Sequence, residues 1–159
     1  MTTPRYEPEA TALAVATVSL ARGAGDASTL RVGATASITR TITQADIDAF
    51  AEVSGDDQPL HLDPAVAAQS IFGGIVAHGM LSGAIWSAVL GKHIPGPGTV
   101  LTGWDEMRFV KPVRPGDEVT FHGEIVEIGE RGKMKVKLTA VKANGELTAY
   151  GTACVVYRR

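Results

Sequence analysis

Cysteine, clustered positive charge and uninterrupted apolar sequence are all scarce in this chain, and each scarcity closes off a class. One cysteine, Cys154, among 159 residues excludes an intrachain disulfide and fits a reducing compartment. It lies in an apolar run near the C-terminus, which suggests a small core side chain. Net charge is −2 and no basic run exceeds two residues, so there is no electrostatic footprint for nucleic acid or for an anionic membrane. Pro4, Arg5, Glu7 and Glu9 precede the first apolar run, unlike the basic start of an export signal, and a cytoplasmic location is expected. The longest apolar stretch, 75–91, has 17 residues without an acid, Lys or Arg. It is short for a membrane span and is broken by His78, Gly79, Ser82, Gly83 and Ser87, so a buried central helix is the better reading. There is no phosphate-binding glycine fingerprint and no serine elbow motif. His93 and His122 have no companions at ligand spacing, so no metal is expected.

What is present fits one globular domain, with 45% hydrophobic and 20% charged residues. Residues 1–33 read as an N-terminal arm of uncertain structure, with a glycine-bearing joint at 22–28. Residues 34–42 alternate enough for a strand. Thr43 is then a good N-cap for an amphipathic helix over 44–53, with Ile47, Phe50 and Val53 on one face and an end near Gly55. A polar loop over 55–63 leads to a short helix that has Pro64 at its first position. The apolar helix follows at about 78–91. After Pro97 the texture changes to sheet, with strands expected over 99–110, 118–128, 133–138 and 147–157. Pro112 and Pro115 exclude the intervening segment from a sheet, and Asn144-Gly145 is a strong hairpin signal. Early helices, late antiparallel strands and one helix apolar nearly all round suggest an α+β fold, a curved sheet wrapped around a long buried helix.

Two features carry possible chemistry. Asp56 and His61 lie five positions apart on the polar loop, with Pro59 stiffening the turn between them. A carboxylate and an imidazole held in register could share one water as acid and base. The plainer reading is that Asp56 and Asp57 cap a turn and His61 is a hydrogen-bonded core histidine, and spacing alone favours it. Gly79 opens the apolar helix, whose first amides are free and carry partial positive charge. Those amides could hold an oxygen on which negative charge develops, and glycine permits close approach of a ligand. Taken alone, Gly79 is more simply explained by a tight turn and helix packing, with His78 as an imperfect cap. Lys133, Lys135 and Lys137 share one strand face that is best read as solvated. Lys111 and Arg114 flank the proline-bearing loop and carry the same ambiguity. Trp86 on the helix reads most simply as core.

Taken together, Gly55-Asp56-Asp57-Gln58-Pro59-Leu60-His61-Leu62-Asp63 and Ala77-His78-Gly79-Met80 closely resemble the MaoC-like (R)-specific enoyl-CoA hydratases of the hot-dog fold. Arg108-Phe109-Val110-Lys111-Pro112-Val113 and Pro115-Gly116-Asp117-Glu118-Val119 extend the resemblance, which spans about residues 34–157. It implies a hot-dog domain over 34–159, paired into a homodimer with a continuous sheet. It also implies syn addition of water to a trans-2-enoyl-CoA, with coenzyme A part of the substrate and no separate cofactor. Carried position by position, the resemblance makes Asp56 and His61 the catalytic pair. It makes the Gly79 amide the group that binds the thioester oxygen, and it sets Ser87 near the active site on the helix. The family usually has Asn where this chain has Gln58, one methylene longer, beside the loop-stiffening Pro59. Two rivals are an acyl-CoA thioesterase on the same fold and a non-catalytic acyl-CoA-binding subunit.

Overall fold

The structure, a computed structural model, describes residues 30–157. Most of the expected N-terminal arm therefore lies outside the described residues. Of its last part, Leu30 packs against the core and the Gly33 amide donates to the Ile125 carbonyl at 2.8 Å.

The chain begins with strand β1 (Thr35–Thr41) and helix α1 (Gln44–Ser54). Thr43 caps α1 in a reciprocal capping box with Asp46, and Gly55 ends it at φ 75°, a left-handed turn that glycine adopts at no steric cost. The polar loop contains one element that its sequence did not announce, a single helical turn α2 (Pro59–Leu62). Helix α3 (Pro64–Ala68) follows with Asp63 capping it through Ala65 and Val66. The central helix α4 (Gly79–Ala88) is shorter than its apolar stretch. Its continuation widens into a π-helical turn over Val89–His93.

The second half is sheet: β2 (Thr99–Phe109), β3 (Glu118–Ile128), β4 (Lys133–Lys142) and β5 (Leu147–Tyr157). With β1 they form one antiparallel sheet in the order β1-β3-β4-β5-β2. The β4–β5 hairpin turns at Asn144-Gly145, with Gly145 at φ 87° and the Asn144 side chain accepting from Glu146 N–H at 3.0 Å.

Strand alternation decides which side chains meet α4. Val119, Phe121 and Ile125 on β3, Val136 and Leu138 on β4, and Ala153 and Val155 on β5 form the buried face with Ile85, Trp86, Val89 and Leu90. Trp86 is fully buried and its indole N–H donates to the Thr139 carbonyl at 3.3 Å. Gly123 lets the helix approach, because a Cβ there would lie 3.1 Å from a Val89 methyl and 3.2 Å from a Leu138 methyl. Lys133, Lys135 and Lys137 face outward, and Lys135 pairs with Asp105 at 3.0 Å. The same parity corrects one expectation: Cys154 lies between inward-facing Ala153 and Val155. It is half-buried on the outer face, where its thiol donates to Asp105 Oδ1 at 3.1 Å. This is the hot-dog arrangement, a sheet curved around one helix. No helix among the described residues is long and apolar enough to cross a membrane.

Candidate active site

The polar loop and the start of α4 meet at one end of the helix. The loop is held by its own backbone. Ser54 Oγ donates to the Phe50 carbonyl at 2.6 Å and accepts from Asp56 N–H at 3.2 Å, which starts the chain away from α1. Pro59 supplies the first residue of α2, its carbonyl accepts from Asp63 N–H at 2.8 Å, and the Gln58 carbonyl accepts from His61 N–H at 3.0 Å. The Gln58 side chain is exposed and caps nothing, so its extra methylene extends into solvent in the single chain. Gln44 donates to the His61 carbonyl at 3.2 Å, tying α2 back to α1.

His61 is 8% exposed and its Nδ1 lies 2.6 Å from the Val76 carbonyl. A carbonyl only accepts, so Nδ1 carries the hydrogen and the neutral ring keeps its lone pair on Nε2. His78 stacks on that ring with centroids 3.7 Å apart and planes 30° apart. Its Nε2 lies 2.9 Å from the Asp56 carbonyl oxygen and 3.9 Å from Asp56 Oδ2. Polar atoms of Asp56, His61 and His78 all fall within 4.8 Å of one another. Three such groups could be metal ligands. Lone pairs lie in the ring plane, however, and two imidazoles stacked this closely do not converge on one tetrahedral ion.

Beside the cluster is a cavity of about 280 Å³ whose walls include His61, His78, Gly79, Ser82, Phe72 and Phe109. Its lining is mostly apolar, as an acyl chain requires. No side chain caps the first amides of α4. The Phe109 ring stands over the helix start so closely that a Cβ on Gly79 would lie 2.9 Å from two of its carbons. Gly79 is thus the residue that fits beneath that ring.

Of the residues singled out in the sequence, Asp56, His61 and Gly79 come together here. Gln58 and Pro59 contribute through the backbone. Ser87 does not reach the cavity: it is exposed on α4, and the buried Ser82 lines the wall instead. Ser82 stands three residues after Gly79 on the same helical face, a spacing that could have pointed to it. Lys111 lines the cavity. Arg114 turns inward, its guanidinium bonding the Phe72 carbonyl at 2.5 Å and the Ile75 carbonyl at 3.5 Å, which ties down the segment before α4.

Comparison with known proteins agrees with this geometry. The model of the MaoC like domain family matches residues 28–146. The chain belongs to that family. It is 36% identical over 130 residues to an (R)-specific enoyl-CoA hydratase of Aeromonas caviae, covering 82% of this chain and 96% of that one. It is 38% identical over 127 residues to a 3-hydroxybutyryl-CoA dehydratase of Methylorubrum extorquens, covering 79% and 80%. Among solved structures, the unliganded R-hydratase PhaJ1 of Pseudomonas aeruginosa superposes with a TM-score of 0.77 at 37% identity, over 82% of this chain and 83% of that one. These MaoC-like relatives are hydro-lyases, which fits a site with an acid, a base and an apolar cavity.

Proposed function

We propose that this protein is an (R)-specific enoyl-CoA hydratase, which adds water reversibly and syn across a trans-2-enoyl-CoA to give the (3R)-hydroxyacyl-CoA. The observation that carries the reading is the convergence of Asp56 and His61 beside an apolar cavity that has Gly79 in its wall. His61 Nε2, left bare by the Nδ1–H bond to Val76, and the Asp56 carboxylate hold one water between them. They share its activation: the hydroxyl joins the β-carbon and a proton is delivered to the α-carbon on the same face. The Gly79 amide holds the thioester oxygen as enolate character develops. The addition of water involves no net oxidation or reduction and calls for no cofactor, coenzyme A being part of the substrate. Residues 34–159 form the hydratase domain in this reading, with residues 30–33 packed onto it.

A homodimer belongs to the same proposal. β2 is an edge strand, and Val100, Leu101 and Phe109 on or beside it expose 56%, 38% and 46% of their surface, apolar area that a second copy would cover. Sedimentation of the purified chain at its dimer mass is the expected result. A reducing, cytoplasmic setting is also part of the reading and rests on the lone cysteine.

The deciding experiment is a hydration assay on short, medium and long trans-2-enoyl-CoAs with chiral analysis of the product. The (3R) alcohol is expected. A (3S) product, or free CoA released without hydration, would sink the assignment, the second result in favour of a thioesterase. Binding of acyl-CoA with no turnover would favour the non-catalytic subunit.

A further inference from the structure

One buried group beside the site has no ordinary structural explanation. His78 is 4% exposed and occupies the N-cap position of α4, yet its side chain caps none of the helix amides. Its Nε2 must carry the hydrogen, because the Asp56 carbonyl 2.9 Å away can only accept. The lone pair of the neutral ring is therefore on Nδ1, which is buried and without a partner. An unpaired buried acceptor is disfavoured, so stability alone would select a small capping residue or an apolar one here. The ring is also packed between aromatic neighbours, His61 at 3.7 Å and Phe50 at 4.9 Å between centroids.

We infer that His78 is a positioning residue of the proposed hydratase, an imidazole that holds Asp56 and His61 at their working separation. It is a side chain that touches both: its Nε2–H fixes the Asp56 backbone, and its face backs the His61 ring. The Asp56 side chain itself is 42% exposed, so the backbone bond is what fixes the position of its carboxylate. The His61 ring is oriented from the same segment, because its Nδ1–H goes to Val76, two residues before His78. That segment is anchored in turn by the Ala77 amide on the Val113 carbonyl at 2.7 Å and by Arg114 on Phe72 and Ile75. Gly79 is its next residue. Residues 76–79 thus act as one template that sets the carboxylate, the imidazole and the helix amide relative to each other. Small displacements of such groups are costly in rate, which is the reason to tolerate an unpaired nitrogen.

The inference rests on the hydratase reading, and wild-type turnover of crotonyl-CoA tests that reading separately. Two variants of the full chain then separate the two contacts. His78→Gln keeps an N–H donor for the Asp56 carbonyl but loses the ring face; His78→Phe keeps the face but loses the donor. Expected are kcat losses of about tenfold for the first and about a hundredfold for the second, with KM within about threefold of wild type in both. The melting temperature of His78→Phe should stay near that of wild type, because removing the unpaired nitrogen offsets the lost bond to the Asp56 carbonyl. A loss of kcat at an unchanged melting temperature is the signature of positioning. Wild-type kcat in either variant overturns the inference, and so does a loss of kcat that tracks a fall in melting temperature or a matching rise in KM. If neither variant folds, nitrogen-15 histidine spectra of the wild type decide: an Nε2–H tautomer is expected for His78, and an Nδ1–H tautomer overturns it.

Discussion

Toward its C-terminal end α4 meets the sheet through Ile85, Trp86 and the following Val89, against Phe121, Val136 and Ala153, all dry and at most 6% exposed. At its N-terminus the same helix meets two stacked imidazoles, an unpaired nitrogen, a cavity and a phenylalanine ring that leaves no room for a Cβ. The first region is built as stability alone would build it, with apolar side chains interdigitating and the one indole N–H bonded. The second keeps polar groups buried or half-buried beside empty space. A protein gains nothing in folding free energy from that arrangement, so its departures from good packing mark the place where chemistry is done.

The sharpest way to break the contrast is to remove the pair itself. Asp56→Asn and His61→Ala should each reduce kcat for crotonyl-CoA hydration by about 10²–10⁴-fold, the range associated with a positioned acid or base. Circular dichroism should be unchanged in both; the melting temperature should hold for Asp56→Asn and fall for His61→Ala, which loses a buried ring bonded to the Val76 carbonyl. Wild-type-like turnover by either purified variant would remove the proposed mechanism. The mirror experiment is Phe121→Ala on β3. Its ring is 1% exposed, and its loss should cost about 3–5 kcal/mol of stability. At a temperature where the variant is still folded, kcat should stay within about twofold of wild type, since Phe121 is not in the cavity wall.

Gly79→Ala tests the border between the two regions. The new methyl would press on Phe109, a half-exposed ring that can rotate away. Stability should change by less than about 1 kcal/mol, because the helix also gains a better former at its first position. A displaced ring lies over the amide proposed to hold the thioester, so kcat/KM should fall about tenfold. An unchanged kcat/KM would show that Phe109 and the Gly79 amide stand apart from the bound thioester.

The same contrast decides what could be read in the sequence. Strands β3, β4 and β5 were legible because alternation is local: Met134, Val136 and Leu138 alternate with lysines, and Asn144-Gly145 marks the turn. Thr43 and Gly55 likewise announced the ends of α1. Asp56 and His61 were visible as residue types, but nothing local said that they converge. That follows from contacts across 15 to 22 residues, His61 to Val76 and His78 to Asp56. His78 read as a poor cap because its partners lie on another loop, and Arg114 read as a surface cation because its acceptors are carbonyls some 40 positions away. Cys154 was misplaced for a different reason: in an apolar run, parity cannot be assigned until the partner strands are known. Ser87 falls on a position carried over from the family, and the single chain leaves it in solvent.

The smallest expected effect lies at the margin of the sheet, where charge contributes to stability and not to rate. Asp117, just before β3, accepts from the Arg114 amide at 2.8 Å and from Lys142 Nζ at 2.9 Å. Burial pushes its carboxyl pKa up. The hydrogen bonds from Lys142 and from the Arg114 amide, with the charges of Lys142 and Arg114, outweigh burial and hold it below the usual carboxylate value. A carboxylate with a lowered pKa in the folded state contributes stability that is present above the unfolded pKa, about 3.9 for Asp. That contribution is lost as pH falls through the folded value. Asp117→Asn should therefore lower stability by about 1 kcal/mol at neutral pH, while kcat stays within about twofold of wild type. The two proteins' denaturant midpoints should draw together as pH drops below about 4. Midpoints that keep a constant separation through that range would mean that Asp117 acts through shape and neutral hydrogen bonding, not through its charge.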